Sequence, residues 1–221
     1  APLGLHERIL GLIEREAANA RAGKPARIIA KMNSLADSEV AEELYAAGRA
    51  GVDITLFVRG FCCLRPGVGG LSDNIRVISV LGRFLEHSRI FHFGCGKPDP
   101  LDGEWYISSA DWMYRNLNNR VEAACPVRGR VSRAKLLRII QVMAADRRGA
   151  WELMPDGSYM PRTPAADSAP DSIAMLGTFE TLMRWGAFGP ASSIPDSLRA
   201  ADVKFTFESP LSQAADRQKG Q

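Results

Sequence analysis

The sequence predicts an α/β protein in which helices flank a mixed β-sheet. In its N-terminal part, segments with helical spacing of apolar residues alternate with short apolar runs, a pattern typical of parallel strand pairs. Further along, apolar segments are joined by turn-rich connections, which predicts hairpins and therefore antiparallel strands. The chain has 221 residues, of which 46% are hydrophobic and 24% charged. That is enough apolar material for one domain with a real core.

Two amphipathic helices and two buried strands are predicted in the N-terminal part. In the first helix apolar residues repeat at helical spacing, and Gly23 with Pro25 ends it. Asp37 or Ser38 can cap the second helix, which stops near residues 48–51. The four elements are a helix from Leu5, a strand over 26–32, a helix from Asp37 or Ser38, and a strand over 53–58 that delivers Arg59 at its end.

The middle of the chain is predicted to be richer in strands and begins with a Pro- and Gly-rich loop after Gly60. The predicted elements are a strand over 75–81, a hairpin of 83–93 and 104–109, a strand over 121–127, a helix capped by Ser132, and a hairpin over 151–160. Strand alternation would place His87 and Arg89 on one face of the 83–93 segment and His92 on the other.

The composition changes after Arg162, and we therefore predict a domain over residues 1–162, followed over 163–221 by a linker and a tail unrelated to that domain. The tail begins with the linker-like run T-P-A-A-D-S-A-P-D-S, which is followed by one short helix over 173–185. The remainder is poor in core residues, so we expect it to be partly disordered. We also expect the tail to make few contacts with the domain.

Charge and cysteine content exclude some classes of protein. The net charge of +3 fits an anionic ligand without identifying one. The four cysteines show neither a disulfide framework nor a zinc pattern, so we expect reduced thiols in a cytoplasmic protein. There is no apolar run long enough for a transmembrane segment and no signal peptide, although peripheral membrane association stays open. The basic run over 120–148 lacks interleaved aromatic residues, so we expect no nucleic-acid partner.

Three motifs between Arg59 and Trp112 carry the chemistry. They read R-G-F-C-C-L-R-P-G-V from Arg59, G-R-F-L-E-H-S-R-I-F-H-F from Gly82, and W-Y-I-S-S-A-D-W from Trp105. Guanidinium groups match phosphate oxygens in bidentate fashion, and imidazole can act as nucleophile, acid or base near neutral pH. Together with A-R-I-I-A-K-M-N-S from Ala26, these motifs resemble the last domain of the long-chain bacterial polyphosphate kinases, which are related to phospholipase D. The resemblance runs from about residue 3 to about residue 162.

The resemblance implies a phospholipase-D-like mixed sheet and an ATP–polyphosphate phosphotransferase that reversibly moves the terminal phosphate of ATP. His87 matches the second conserved histidine of the family, at the triphosphate end of ATP, where proton donation or hydrogen bonding is the implied role. Arg59 matches an arginine that contacts nucleotide phosphates. The phospholipase D pattern H-x-K with a later G-S-x-N appears here as H-S-R and S-S-A-D, so Arg89 keeps the charge of the lysine. Asp111 replaces an amide with a carboxylate, which leaves its role open.

The other basic residues are weaker candidates. Lys31 lies where the first strand ends, and it is equally suited to binding a phosphate or neutralising a nearby carboxylate. Arg65 and Arg83 are second-rank candidates for binding a polyanion, and we interpret His92 as structural. The sequence offers no candidate for a catalytic nucleophile, since His6 lies on a predicted helix outside any matching motif.

The resemblance also implies that the site is one half of a catalytic core. In the family a different histidine, in the preceding domain, carries the phosphate, and that domain also supplies the surroundings of Mg²⁺. We therefore expect no metal ligands in this chain, and we expect its partners to be ATP or ADP, polyphosphate, and either an upstream catalytic half or a second copy. The start Ala-Pro-Leu-Gly lacks an initiator Met and predicts sequence upstream. Two alternatives stay open: a homodimeric phosphodiesterase that uses two copies of His87, and an inactive remnant that only binds polyanions.

Overall fold

The computed structural model describes residues 1–188 of the chain. Its helices and strands are α1 (Leu5–Arg21), β1 (Arg27–Met32), β2 (Leu35–Ala36), α2 (Ser38–Arg49), β3 (Asp53–Val58), β4 (Ile75–Val80), β5 (Ile90–Phe93), β6 (Glu104–Ser108), β7 (Trp112–Met113), β8 (Ala124–Pro126), α3 (Arg130–Ala145), β9 (Ala150–Leu153), β10 (Tyr159–Pro161) and α4 (Ile173–Phe188). A 3₁₀ turn covers Pro100–Asp102, and a π-helical turn covers Arg115–Asn119. Within the described residues no helix combines the length and apolar character that a membrane span needs.

The centre of the fold is an eight-stranded mixed sheet with the strand order β10–β9–β4–β3–β1–β5–β6–β8. Strands β1, β3 and β4 are parallel to one another, because the connection from β1 to β3 passes through α2. The strands outside this group are added in antiparallel fashion on both sides. A separate parallel pair joins β2 to β7. The sequence-based prediction of an α/β mixed sheet is therefore confirmed.

Apolar side chains cover both faces of the sheet, so each face forms a core with its own helices. Alternation along β1 directs Ile28 and Ala30 to the face that α1 and α2 cover. It directs Ile29 to the opposite face, where Ile140 and Met143 of α3 pack. Lys31 follows Ile29 on this second face, so a cation lies at the end of a buried apolar strand.

One strand is much shorter than predicted, and this changes the geometry around His87. The sequence pattern predicts a strand over 83–93, but β5 contains only Ile90–Phe93. Residues 81–89 form an irregular segment, which we call the His87 loop. The register pairs of β5 begin at Ile90, which pairs with Lys31 on one side and with Ile107 on the other. Directly before it, the carbonyl of Arg89 accepts a hydrogen bond from the N–H of Ser108 at 3.1 Å, and residues 81–88 lie outside the sheet. The prediction that alternation places His87 and Arg89 on one strand face is therefore wrong.

Helix α4 also differs from expectation. The predicted helix over 173–185 exists and extends to Phe188, with a kink at Gly177, where φ is 76°. It packs against α3, because Ile173 is buried beside Val142. The expectation of few contacts between the tail and the domain is therefore wrong for this helix. The boundary at residue 162 stays a prediction, and the expected disorder of the rest of the tail lies outside the described residues.

Candidate active site

The topology brings four of the predicted site residues to one edge of the sheet. Lys31 lies near the end of β1, and Arg59 directly follows β3. Because these two strands are parallel, their carboxyl ends meet at the same edge. Strand β5 is antiparallel to β1, so the His87 loop enters the sheet at that edge and carries His87 and Arg89 with it.

Three basic side chains of this edge, which we call the cation cluster (Lys31, Arg59 and Arg89), hold the backbone of the His87 loop. Each donates a hydrogen bond to one of three consecutive peptide carbonyls. The bonds join Arg59 Nη1 to the carbonyl oxygen of Glu86 at 2.7 Å, Arg89 Nη1 to that of His87 at 2.7 Å, and Lys31 Nζ to that of Ser88 at 2.5 Å. Charge-assisted hydrogen bonds are shorter and stronger than neutral ones, so this irregular segment is held without strand pairing.

Lys31 is buried, and its ammonium also forms an ion pair with the carboxylate of Glu86. Burial lowers the pKa of Lys31, while the hydrogen bond from its ammonium to Glu86 opposes that effect. Burial alone would raise the pKa of Glu86, but hydrogen bonds from Lys31 and Ser88 outweigh it and lower that pKa. The lowered pKa of Glu86 favours its ionised form near neutral pH. The structure shows Lys31 in one of its two predicted roles, neutralising a carboxylate. Its role in phosphate binding stays a prediction.

The guanidinium of Arg89 is held by Asp111 in a bidentate ion pair. Arg89 Nε lies 3.0 Å from Asp111 Oδ1, and Nη2 lies 3.1 Å from Oδ2. Asp111 Oδ1 also accepts hydrogen bonds from the backbone N–H of Asn33 at 2.8 Å and from its side-chain amide at 3.2 Å. Asp111 thus has a definite function here, because its carboxylate fixes the orientation of the Arg89 fork. As a consequence, Arg89 presents less of its fork to a ligand than the sequence implies.

Arg59 is the cation with the most donor capacity left. Only Nη1 is engaged, and the other guanidinium N–H groups make no hydrogen bond to the part of the chain that the structure describes. The backbone of Arg59 is fixed at both polar groups. Its N–H donates to the carbonyl of Met32 at 3.3 Å, and its carbonyl accepts from Ser79 Oγ at 2.9 Å. A half-buried arginine with a fixed backbone and free N–H groups is well suited to an anionic ligand.

The histidines of β5 and its loop have different environments. His87 is exposed, and its ring makes no hydrogen bond within residues 1–188, so it is free to meet a ligand. His92 is buried, and its ring stacks on Trp105 with centroids 4.4 Å apart. Burial lowers the pKa of His92 to about 3 despite the contact of its Nδ1 with the carbonyl of Glu104. His92 is thus a neutral packing residue, which confirms its interpretation as structural.

A small, partly open cleft lies beside the cation cluster. Lys31, Arg59 and Glu86 form its charged side. The other lining residues are apolar and come from two strands and two helices: Phe57, Val80, Met143 and Phe179. Sequence reasoning missed Glu86, whose pairing with Lys31 depends on the loop conformation, and Phe179, which lies beyond the predicted domain boundary. Low local dielectric strengthens the interaction of the cations with any anion that enters.

The second-rank basic residues lie outside this cluster. Arg65 and Arg83 are both exposed, and neither donates a hydrogen bond to the carbonyls of the His87 loop. Arg83 lies over the ring of Phe84 instead, with the guanidinium carbon 5.7 Å from the ring centroid. The prediction that they bind a polyanion stays untested.

The described residues do not fit a Mg²⁺ site. Within residues 1–188 there is no group of three or more His, Cys, Asp or Glu side chains that could hold a metal ion. The two carboxylates of the site, Glu86 and Asp111, are each paired with a cation. In this arrangement neither carboxylate is available as a ligand for Mg²⁺, which binds proteins through carboxylate oxygens, water and substrate phosphates.

Comparison with known proteins identifies the family of this chain. The family model of the polyphosphate kinase C-terminal domain 2 matches residues 1–172. The chain belongs to the polyphosphate kinase family. The polyphosphate kinase of Thermosynechococcus vestitus is 53% identical over 183 residues, which cover 81% of this chain and 24% of that protein. The polyphosphate kinase of Synechocystis sp. is 50% identical over 182 residues, with 82% and 24% covered.

The fold agrees with a solved structure from the same family. The crystal structure of polyphosphate kinase from Porphyromonas gingivalis superposes with a TM-score of 0.74 at 38% sequence identity, and the match covers 84% of this chain and 28% of that one. The expected phospholipase-D-like fold is therefore confirmed. The chain spans about a quarter of the length of the curated relatives it matches.

Proposed function

We propose that this chain supplies half of the catalytic core of an ATP–polyphosphate phosphotransferase, which reversibly transfers the terminal phosphate of ATP to polyphosphate. The observation that carries the proposal is the attachment of the cation cluster to the three consecutive carbonyls around His87. This attachment fixes the backbone on both sides of the exposed His87 through one buried lysine and two partly buried arginines. Such a combination matches phosphoryl transfer, in which catalysis depends on positioning and on stabilising negative charge at peripheral oxygens.

The residues have different roles in this proposal. Arg59 binds and polarises the transferring phosphates through its free N–H groups. His87 donates a proton or hydrogen bond to the same group. Arg89 positions the His87 backbone and does not bind the phosphate directly, since Asp111 occupies most of its fork. Lys31 holds the loop and can bind a phosphate when Glu86 moves away.

The remaining parts of the reaction are assigned to groups outside this site. We place the histidine that carries the phosphate, and the ligands of Mg²⁺, in an upstream catalytic half, in line with the family resemblance. The proposed partners are ATP or ADP, polyphosphate, and that upstream half or a second copy of this chain. The four free cysteines and the use of ATP favour a cytoplasmic location.

The test uses labelled ATP and this chain, alone and inside a chimera in which residues 1–172 replace the matching segment of the Thermosynechococcus vestitus kinase. We expect the isolated chain to bind inorganic polyphosphate, with an affinity that falls as salt rises, and to remain unlabelled by ATP and Mg²⁺. We expect the chimera to synthesise polyphosphate. Failure of the folded chimera to transfer phosphate, with polyphosphate binding intact, would instead support a polyanion-binding remnant.

Two other outcomes would also contradict the proposal. Acid-labile labelling of the isolated chain would mean that one of its own histidines is the nucleophile. Cleavage of a phosphodiester without nucleotide would favour the homodimeric phosphodiesterase. Both activities should be absent from a His87→Ala variant if they belong to this site, and present in a control variant of the exposed Lys135.

A further inference from the structure

Helix α4 is held against the domain by groups that do not belong to the His87 loop. The carboxylate of Asp146, which is buried, accepts a hydrogen bond from the backbone N–H of Thr178 at 2.7 Å, directly after the kink at Gly177. The other oxygen of Asp146 accepts from the backbone N–H groups of Arg148 and Gly149 at 2.8 Å each. One carboxylate therefore connects the end of α3, the start of β9 and α4, which fixes the helix in place.

The next residue of α4, Phe179, contacts the first half of the His87 loop. Its ring lies 5.9 Å from the ring of Phe84, at an interplanar angle of 61°, which is an edge-to-face arrangement. The ring also fills the space next to Gly82, where a Cβ atom would overlap it. The same ring lines the cleft together with Arg59 and Glu86.

Two sets of side-chain contacts hold the His87 loop, one in each half. They add to backbone hydrogen bonds at its two ends, from the N–H of Leu81 to the carbonyl of Gly149 at 2.9 Å and from the N–H of Ser108 to the carbonyl of Arg89 at 3.1 Å. The cation cluster holds the carbonyls of residues 86–88, and Phe179 supports residues 82–84. Apolar residues of this loop have little other cover, since Leu85 is 80% exposed and Phe84 is 48% exposed. Without Phe179 the first half of the loop would lose its apolar support, and the peptide that leads into Glu86 and His87 would gain freedom.

The geometry points to Phe179 as a positioning residue for His87: it holds the His87 loop from helix α4, which lies beyond the predicted domain boundary at residue 162. The role in phosphoryl transfer rests on the function proposed above. The contact itself is a property of the fold. Phe179 acts through the loop, and its ring provides a wall of the cleft rather than a group that takes part in chemistry.

Two measurements on the full chain test this role. The first is hydrogen exchange of the peptide over residues 81–90 without any ligand, in Phe179→Ala, in Phe84→Ala and in the control Met175→Ala, which removes a partly exposed apolar side chain from the same helix. An aromatic pair of this kind corresponds to about a 2- to 12-fold change in an opening equilibrium. We expect exchange over 81–90 to be faster by about that factor in the first two variants and unchanged in the control.

The second measurement follows the imidazole signals by NMR as inorganic tripolyphosphate is added. The chain has three histidines, so a His87→Ala variant identifies the His87 signal directly. We expect tripolyphosphate to shift this signal in the wild type and to do so at higher concentrations in Phe179→Ala. The signals of His6 and His92 should respond equally in both proteins. Phe179→Leu, which keeps apolar bulk, should restore part of the wild-type response.

The outcomes separate this inference from the proposed function. A wild-type chain whose His87 signal ignores tripolyphosphate would contradict the phosphate site, while the exchange measurement would still decide the role of Phe179. Equal exchange over 81–90 in wild type and Phe179→Ala, or faster exchange spread over the whole chain, would overturn the inference. If Phe179→Ala does not fold, Phe84→Ala decides the matter, because that side chain is half exposed and its loss leaves the core intact.

Discussion

The buried pair of Arg89 and Asp111 gives the most quantitative prediction. Both side chains are only about a tenth exposed, at 11% and 10%, so solvent screens their attraction little. Asp111→Ala leaves the guanidinium without its bidentate partner and removes the acceptor of the Asn33 backbone N–H, which is 2.8 Å away. Removing one partner of a buried ion pair costs about 3–5 kcal/mol. We expect the free energy of unfolding to fall by about that amount.

The assay is urea unfolding followed by tryptophan fluorescence, since Trp112 is buried next to Asp111. The matched control is Glu180→Ala, which breaks an exposed pair with Arg184 on α4, where the side chains are 37% and 49% exposed. An exposed helical pair of this spacing contributes about 0.3–0.5 kcal/mol.

The double variant Arg89→Leu with Asp111→Leu should cost less than the sum of the two single changes, because no unpaired charge stays buried. Asp111→Asn should have an intermediate effect, since it keeps one acceptor oxygen. A loss below about 1 kcal/mol for Asp111→Ala, similar to that of the control, would refute the reasoning that this carboxylate anchors Arg89.

Three further predictions concern other parts of the molecule. The folded-state pKa of His92 is lowered from 6.5 to about 3, so the unfolded chain binds the extra proton first as pH falls, and this histidine should lower the free energy of unfolding by up to about 1.4 kcal/mol per pH unit between these values. Carboxylates titrate in the same range in both proteins, so urea titrations should show a slope that is steeper in wild type than in His92→Phe by up to this amount, and equal slopes would contradict the prediction. Arg59→Lys keeps the charge but removes the planar fork, so calorimetry should show weaker tripolyphosphate binding than for the exposed control Arg49→Lys, and equal affinities would indicate diffuse charge instead. Truncation after residue 162 removes the partners of Val142 and of the apolar wall of the cleft, so thermal unfolding should show a loss of more than about 3 kcal/mol; an unchanged melting temperature would show that α4 contributes nothing.

The sequence predicts the positions of Lys31 and Arg59 well, because both lie where parallel strands end and such ends converge by topology. The conformation of the His87 loop is not predictable from local pattern. The sequence pattern predicts one continuous strand over 83–93, but the register pairs of β5 begin only at Ile90, with Lys31 and Ile107 as its partners. Without neighbours for its backbone, the segment leaves the sheet, and cationic side chains replace the missing strand bonds.

Long-range partners explain what sequence reasoning missed at the site. Asp111 is equally consistent with a surface position until Arg89 and Asn33 are placed around it, 22 and 78 residues away in the chain. Phe179 follows a linker-like run in the sequence. The composition of that run indicates a domain boundary, but the helix after it packs against α3. Composition reports the local polarity of a segment and carries no information about which surface a later helix covers.

The central claim is that His87 acts on the transferring phosphate, and phosphate transfer in the chimera with the Thermosynechococcus vestitus kinase tests it most directly. His87→Ala should lower the rate of polyphosphate synthesis from ATP by about 10²–10⁴-fold, the usual range for losing an acid–base group, with unfolding unchanged because the side chain is exposed. The Lys135→Ala chimera should keep the rate of the unmodified chimera. A His87→Ala chimera that synthesises polyphosphate as fast as the unmodified one would contradict the account, and His87 would then be only a surface residue of the loop.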